Sequence, residues 1–294
     1  MILVITGPTC LGKSETAVAL ATKFNAEIIN GDAFQIYEEL NIGVAKPSDE
    51  DLKKVPHHLY SFVSPSKTYS IMEYQKDLRA KIAEIMSKNK NIIIVGGSGL
   101  YIKSALYDYE FKKQTPIDMS KYEKMDNLEL HKCLEEIDPV DAKKIHFNNR
   151  KRMLRAIEIY LANNKSKTEL NIEQNHRPIY DAKFFVKDMP REILYENINK
   201  RVDKMMNNGL LDEVKSLSDK YGFDAQAMQA IGYKEFKDYF DNKMSLEDTV
   251  ELIKKNTRNY AKRQMTFIRH QFDVIYYKDT NDLIRIIEDE KLLG

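Results

Sequence analysis

Apolar residues in the first hundred positions fall into short continuous runs, separated by longer stretches whose apolar spacing is helical. ILVIT, residues 2–6, is a β-branched run, and residues 13–24 place Val18, Leu20, Ala21 and Phe24 at helical spacing. AEIINGD is a second run that closes on an aspartate, and residues 71–88 read as an amphipathic helix. NIIIVGGSGLYIKSAL then supplies a third run, a glycine turn and a helix start. Strands apolar at every position are buried on both faces, so the alternation predicts an α/β fold: a parallel sheet core covered by helices. Ligands of such sheets sit at the carboxyl ends of the strands. TGPTCLGK, NGDAFQ and VGGSG are therefore predicted to converge on one site.

From about Lys112 the alternation stops, and helices with polar loops run to about Pro178. KFFVKDM, residues 183–189, reads as a return to the sheet, and DVIYY as its last strand. The expected organisation is a P-loop α/β core domain over residues 1–113 and 181–294, with a helical insertion domain over 114–180.

Residues 7–14, GPTCLGKS, fill the pattern G-x-x-x-x-G-K-[ST] with Gly7, Gly12, Lys13 and Ser14. Glycines let backbone N–H groups wrap a phosphate, while the lysine and a metal-binding hydroxyl complete the cradle. Gly7, Pro8, Thr9, Cys10, Leu11, Gly12, Lys13 and Ser14 are thus the candidate diphosphate site, and Ser14 implies Mg²⁺. A nucleotide, a phosphorylated metabolite and a prenyl diphosphate all fit that description. Asp32, closing the second run, is the one acid expected beside the loop. It suits a metal ligand or a general base equally well. The adjacent His57 and His58 point to opposite faces of a strand and have no third ligand at metal-binding spacing. Cys10 reads as a small filler.

The chain has 294 residues, of which 43% are hydrophobic, enough for a substantial core. Two cysteines without a C-x-x-C exclude a disulfide framework or zinc ribbon. No run is long enough to span a membrane, and MILVITGPT reads as a strand entering a turn, not a signal peptide. A cytoplasmic protein is expected. Lys+Arg at 46 and Asp+Glu at 45 nearly cancel, but their distribution is uneven. Residues 143–167 carry eight Lys/Arg against Glu158 alone, and residues 251–270 carry six against Glu251 alone. Clustered cations of this kind suit a polyanion.

Several of these segments together resemble the tRNA dimethylallyltransferases (tRNA isopentenyltransferases). GPTCLGKS, NGDAFQIYEELNIGVAKPS, PHHLYSFVSP, VGGSGLYIKSAL, IHFNNRKRMLRAIEIY, MQAIGYKEF and TRNYAKRQMTFIRHQF occur in the family's order from residue 7 to 272. The resemblance implies transfer of a dimethylallyl group from dimethylallyl diphosphate to the exocyclic amine of the adenosine 3′ of the anticodon, in tRNAs reading codons that begin with U. It implies Asp32 as the catalytic base, with Ser98 beside it in the glycine turn. Asp32, Ala33, Phe34, Gln35 and Ser98 would meet the flipped base, Gln35 reading its edge. Lys151, Arg152, Met153, Leu154 and Arg155 match the run that grips the anticodon stem-loop. Lys262, Arg263 and Gln264 match the C-terminal tRNA signature, and Arg258 would reach the diphosphate. The implied enzyme is a monomer of bacterial type, having no C-terminal zinc finger. Three positions depart from the family pattern: Ala33 for Ser, Asn149 for Asp and Phe267 for Trp. An adenylate isopentenyltransferase acting on AMP, ADP or ATP, a P-loop small-molecule kinase and an RNA-binding module without chemistry are the rival readings.

Overall fold

The computed structural model describes residues 1–111, 117–173 and 176–293. The apolar runs form β1 (Ile2–Thr6), β2 (Ala26–Asn30), β4 (Asn91–Val95), β5 (Ala182–Lys187) and β6 (Val274–Tyr277), and a two-residue edge strand, β3 (His57–His58), joins them. The sheet order is β3-β2-β4-β1-β5-β6 and every pairing is parallel. Ile2 and Val4 of β1 face one core layer with Ile92, Ile94, Phe184 and Val186. Leu3 and Ile5 face the other with Ile93, Val95 and Phe185. This period of two places apolar side chains on both sides of the sheet, as the continuous runs require. The two histidines hold the edge: His58 Nε2 lies 2.6 Å from Glu27 Oε2, and His57 Nδ1 lies 2.8 Å from the Val55 carbonyl.

Helices begin where their caps permit. Ser70 and Glu73 form a reciprocal capping box that starts the helix Ile71–Ser87. The helix Lys13–Lys23 starts directly after Gly12, whose φ of 73° is left-handed. Among the described residues no helix is long and apolar enough to cross a membrane.

The chain divides into two compact units, Met1–Tyr107 with Pro178–Gly294, and Asp108–Arg177. The expected boundary between residues 113 and 114 lies outside the described residues. The second unit has its own core, built from Leu130, Leu134, Ala142, Met153, Ala156 and Ile157. Arg150 ties it together, donating to the Met125 and Glu123 carbonyls at 2.7 Å each.

Candidate active site

Backbone contact between strand ends brings the three predicted segments together. Gly31 N donates to the Val95 carbonyl at 2.7 Å, Ser98 N to the Gly31 carbonyl at 3.1 Å, and Gly96 N to the Ile5 carbonyl at 3.2 Å. The turns after β2 and β4 are so close that a Cβ on Gly96 would lie 2.1 Å from the Gly31 carbonyl carbon. Gln264, on the long helix Leu246–Gln271, ties the third loop in. Its Nε2 donates to the Gly97 carbonyl at 2.9 Å and its Oε1 accepts from Thr9 N at 3.4 Å.

The loop after β1 opens at Gly7, whose φ is 129°, and a Cβ there would stand 2.9 Å from Leu11. Its Lys13 Nζ donates to the Pro8 carbonyl at 2.6 Å. Burial and the neighbouring Arg201 guanidinium pull Lys13 down to about 8, against the opposing field of Asp32. Ser14 lies half-buried in the first turn of the helix, where free N–H groups favour an anion.

Asp32 is held by its neighbours. Fully buried Asn30 accepts from Asp32 N at 2.8 Å and donates to the Asp32 carbonyl at 3.0 Å. Asp32 Oδ1 accepts from Phe34 N at 2.8 Å, so its second oxygen is the one left for chemistry. Ser98 Oγ accepts from Ala33 N at 3.0 Å and so pins the segment that carries Asp32.

These elements enclose a cavity of about 680 Å³ whose lining comes wholly from the first unit. Thr9, Cys10, Leu11, Gly12, Lys13 and Ser14 form one wall, with Gly7 and Pro8 behind them. Asp32, Phe34, Gln35, Arg263 and Gln264 also reach it. Ile253, Thr257, Tyr260 and Gln264 make a stripe at i, i+4, i+7 and i+11 of the long helix.

Arg258 stands about 130° off the middle of that stripe; it faces a neighbouring hollow and donates to Asn199 Oδ1 at 2.5 Å. Gln264 is only 6% exposed, with both ends of its amide engaged, so it braces loops from within. Met153 is 0% exposed and belongs to the core of the second unit, because its neighbours on the amphipathic helix put it on the apolar face. Leu154 packs partly against that core, while Lys151, Arg152 and Arg155 are exposed, Arg155 pairing with Glu158 at 2.6 Å. Ala33, Ser98 and exposed Lys262 lie outside the cavity lining. Phe267 covers Gly99, where a Cβ would lie 2.5 Å from its ring.

The sequence reading missed Arg201, a second guanidinium that lines this cavity beside Arg263's; its Nη1 lies 3.9 Å from Cys10 Sγ. Its signal was a cation on the apolar side of an amphipathic helix: Leu194, Ile198, Arg201 and Met205 fall at i, i+4, i+7 and i+11 of Arg191–Asn207. Tyr60, Tyr260 and Lys46 were also missed. Burial and Asp32 push Tyr260 up to about 12 and Tyr60 further still, which keeps both as neutral phenols. Burial pulls Lys46 down to about 8.

Comparison with known proteins adds an independent line. Residues 35–271 match the model of the IPP transferase family. A tRNA dimethylallyltransferase of Bacillus licheniformis is 44% identical over 285 residues, spanning 95% of this chain and 91% of that protein. Its counterpart in Anoxybacillus flavithermus is 42% identical, spanning 96% and 92%. The crystal structure of a tRNA isopentenylpyrophosphate transferase from Staphylococcus epidermidis superposes with a TM-score of 0.74 at 37% identity, covering 99% of this chain and 98% of that one. A eukaryotic dimethylallyltransferase, seen acting on tRNA, gives a TM-score of 0.82 at 29% identity, covering 99% and 79%. With sequence, fold and site in agreement, this chain is a member of the IPP transferase family.

Proposed function

We propose that this chain transfers a dimethylallyl group from dimethylallyl diphosphate to the exocyclic amine of the adenosine 3′ of the anticodon, in tRNAs reading codons that begin with U. The observation that carries the reading is that one cavity holds both a phosphate cradle and Asp32, a carboxylate with one oxygen unengaged. Adenine's amine is a weak nucleophile because its lone pair is delocalised into the ring. It needs a base to take a proton as the new C–N bond forms, and Asp32 takes that role. As the allylic C–O bond breaks, its electron pair leaves with the diphosphate. Lys13, Arg201 and the backbone N–H groups of residues 10–14 then stabilise the growing charge without rearranging. Leu11, Ile198, Val202, Met205 and Ile253 give the same cavity an apolar wall suited to a prenyl group.

Mg²⁺ fits the donors present. No group of three His, Cys, Asp or Glu side chains is placed to hold a metal among the described residues. A cation here would rely on Ser14, diphosphate oxygens and water, which is how magnesium is usually held. When bound it neutralises diphosphate charge.

The acceptor base has to leave the anticodon stack to react. Gln35 reads its edge, and Phe34, Tyr60 and Tyr260 offer aromatic surfaces for it in the cavity. Lys151, Arg152 and Arg155 of the helical unit, with Lys262 and Arg263 of the core, serve the tRNA backbone. The chain works as a monomer in the cytoplasm, where tRNA is matured.

The test is incubation with labelled dimethylallyl diphosphate and Mg²⁺, offering unmodified tRNA, AMP or ATP as acceptor. Label in tRNA alone is expected. Label only in AMP or ATP would move the chain to the adenylate branch, and phosphate transfer from ATP would make it a kinase.

A further inference from the structure

Residues 41–47, NIGVAKP, form a closed loop on the cavity wall. Ala45 N donates to the Ile42 carbonyl at 3.0 Å and Lys46 N to the Asn41 carbonyl at 3.2 Å. Lys46 Nζ caps the Tyr37 carbonyl at 2.5 Å, and Ala45 takes a left-handed φ of 48°. Gly43 through Pro47 line the cavity.

The far side of this loop is seated on the helix Leu210–Tyr221. There the Glu213 carboxylate accepts from three successive backbone N–H groups, at 3.2 Å from Asn41, 2.9 Å from Ile42 and 3.2 Å from Gly43. It also accepts from the Tyr233 hydroxyl at 2.6 Å. Tyr233 is 0% exposed, and its ring lies so close to Gly43 that a Cβ there would be 2.3 Å from it. A second strap reaches the same helix from just before the loop, Glu39 accepting from Lys220 at 2.8 Å and from the Tyr221 hydroxyl at 2.6 Å.

On the cavity side the loop holds Gln35. The Val44 and Ala45 carbonyls each accept from Gln35 Nε2 at 3.0 Å, which commits both amide hydrogens. What Gln35 has left is Oε1, an acceptor. Neither Glu213 nor Tyr233 reaches the cavity itself.

We propose that Glu213 and Tyr233 are positioning residues: by seating the 41–47 loop they lock the Gln35 amide with its oxygen outward. That orientation selects a base presenting an amine over one presenting a carbonyl. The inference rests on the proposed entry of a tRNA base into this cavity. An adenine edge offers N–H donors to Gln35 Oε1, whereas hypoxanthine, of nearly the same shape, opposes it with a second oxygen. A carboxylate reaching three consecutive N–H groups sets the loop's path as well as its stability, so its loss frees the amide to turn.

The test compares binding of two anticodon stem-loops that differ only in adenosine or inosine at the acceptor position. Wild type, Glu213→Ala and Tyr233→Phe are assayed, with pyrophosphate affinity and melting measured alongside. Wild type should favour the adenosine loop at least tenfold. Glu213→Ala should pull that ratio towards one, and Tyr233→Phe should shift it less in the same direction, both keeping pyrophosphate affinity within twofold. If Glu213→Ala does not fold, Tyr233→Phe, which removes one hydroxyl and no packing volume, decides alone. Equal weakening for both loops, with the ratio intact, overturns the assignment and leaves Glu213 a structural buttress. Wild type that binds both loops without preference also overturns it, and wild type that binds neither sinks the functional reading itself.

Discussion

Gln264→Ala removes a side chain that joins the phosphate loop to the glycine turn. Its amide is 6% exposed and spans Thr9 N at 3.4 Å and the Gly97 carbonyl at 2.9 Å. A net intramolecular hydrogen bond is worth ~1 kcal/mol, the longer bond less, and a stranded buried carbonyl adds ~1–3 kcal/mol. Gln264 borders the cavity, so water can reach the freed carbonyl, which brings the expected cost to about 2 kcal/mol. With an unfolding entropy of ~2.1 cal/mol/K per residue, that loss lowers the melting temperature of a chain this long by roughly 3 °C. Gln264→Glu is isosteric, yet it sets a carboxylate oxygen against the Gly97 carbonyl with no hydrogen between them. It should therefore destabilise more than Gln264→Ala. Calorimetric melting of the three proteins tests the ordering, and the KM for dimethylallyl diphosphate should rise in both variants as Thr9 loses its anchor. A Gln264→Glu protein that melts with wild type would refute the reasoning, because it would mean that the amide bridge carries no load.

Other expectations follow from the same geometry. Gly96→Ala forces a Cβ to 2.1 Å from the Gly31 backbone, which cannot yield without separating two strand ends, so a loss above ~3 kcal/mol is expected by urea unfolding. Arg201→Ala should raise the KM for dimethylallyl diphosphate by about 10- to 100-fold, the value of a charge-assisted hydrogen bond, whereas Arg258→Ala should leave it nearly unchanged; the reverse result would return Arg258 to the diphosphate. Lys13, lowered to about 8, is half neutral at that pH and must regain its proton to hold an anion. Pyrophosphate binding near pH 8 should thus take up about half a proton more in wild type than in Lys13→Arg, with no difference at pH 6, as titration calorimetry in two buffers would read. In the free protein the sign is opposite: the unfolded chain binds more protons than the folded one between about 8 and 10.5, so this lysine makes stability rise with pH across that window.

The sheet was legible because strands buried on both faces must be apolar throughout, and β1, β2, β4, β5 and β6 are largely so. β3 was legible only as two adjacent histidines on opposite faces of a strand, because a two-residue strand has no period to detect. The phosphate loop was legible because its glycines answer a local backbone demand, seen in the positive φ of Gly7 and Gly12. Asp32 stood out as the acid ending a buried strand. What sequence did not reveal depends on rotation about helix axes and on distant pairing. Arg258 and Arg263 belong to one basic run on one helix, yet only Arg263 faces the cavity. Glu213 accepts from the Ile42 N–H across a separation of 171 positions in the chain. No local pattern marks either.

The central claim is that Asp32 removes the amine proton while the phosphate loop holds the leaving diphosphate. Its most direct test is single-turnover transfer to unmodified tRNA, wild type against Asp32→Asn, followed by nucleoside analysis of the product. The asparagine keeps the oxygen that accepts from Phe34 N at 2.8 Å, so the local fold and stem-loop affinity should survive. Wild type should yield N6-dimethylallyladenosine beside the anticodon, with Asp32→Asn slower by roughly 10²–10⁴-fold at saturating substrates. Transfer by Asp32→Asn at the wild-type rate would contradict the account.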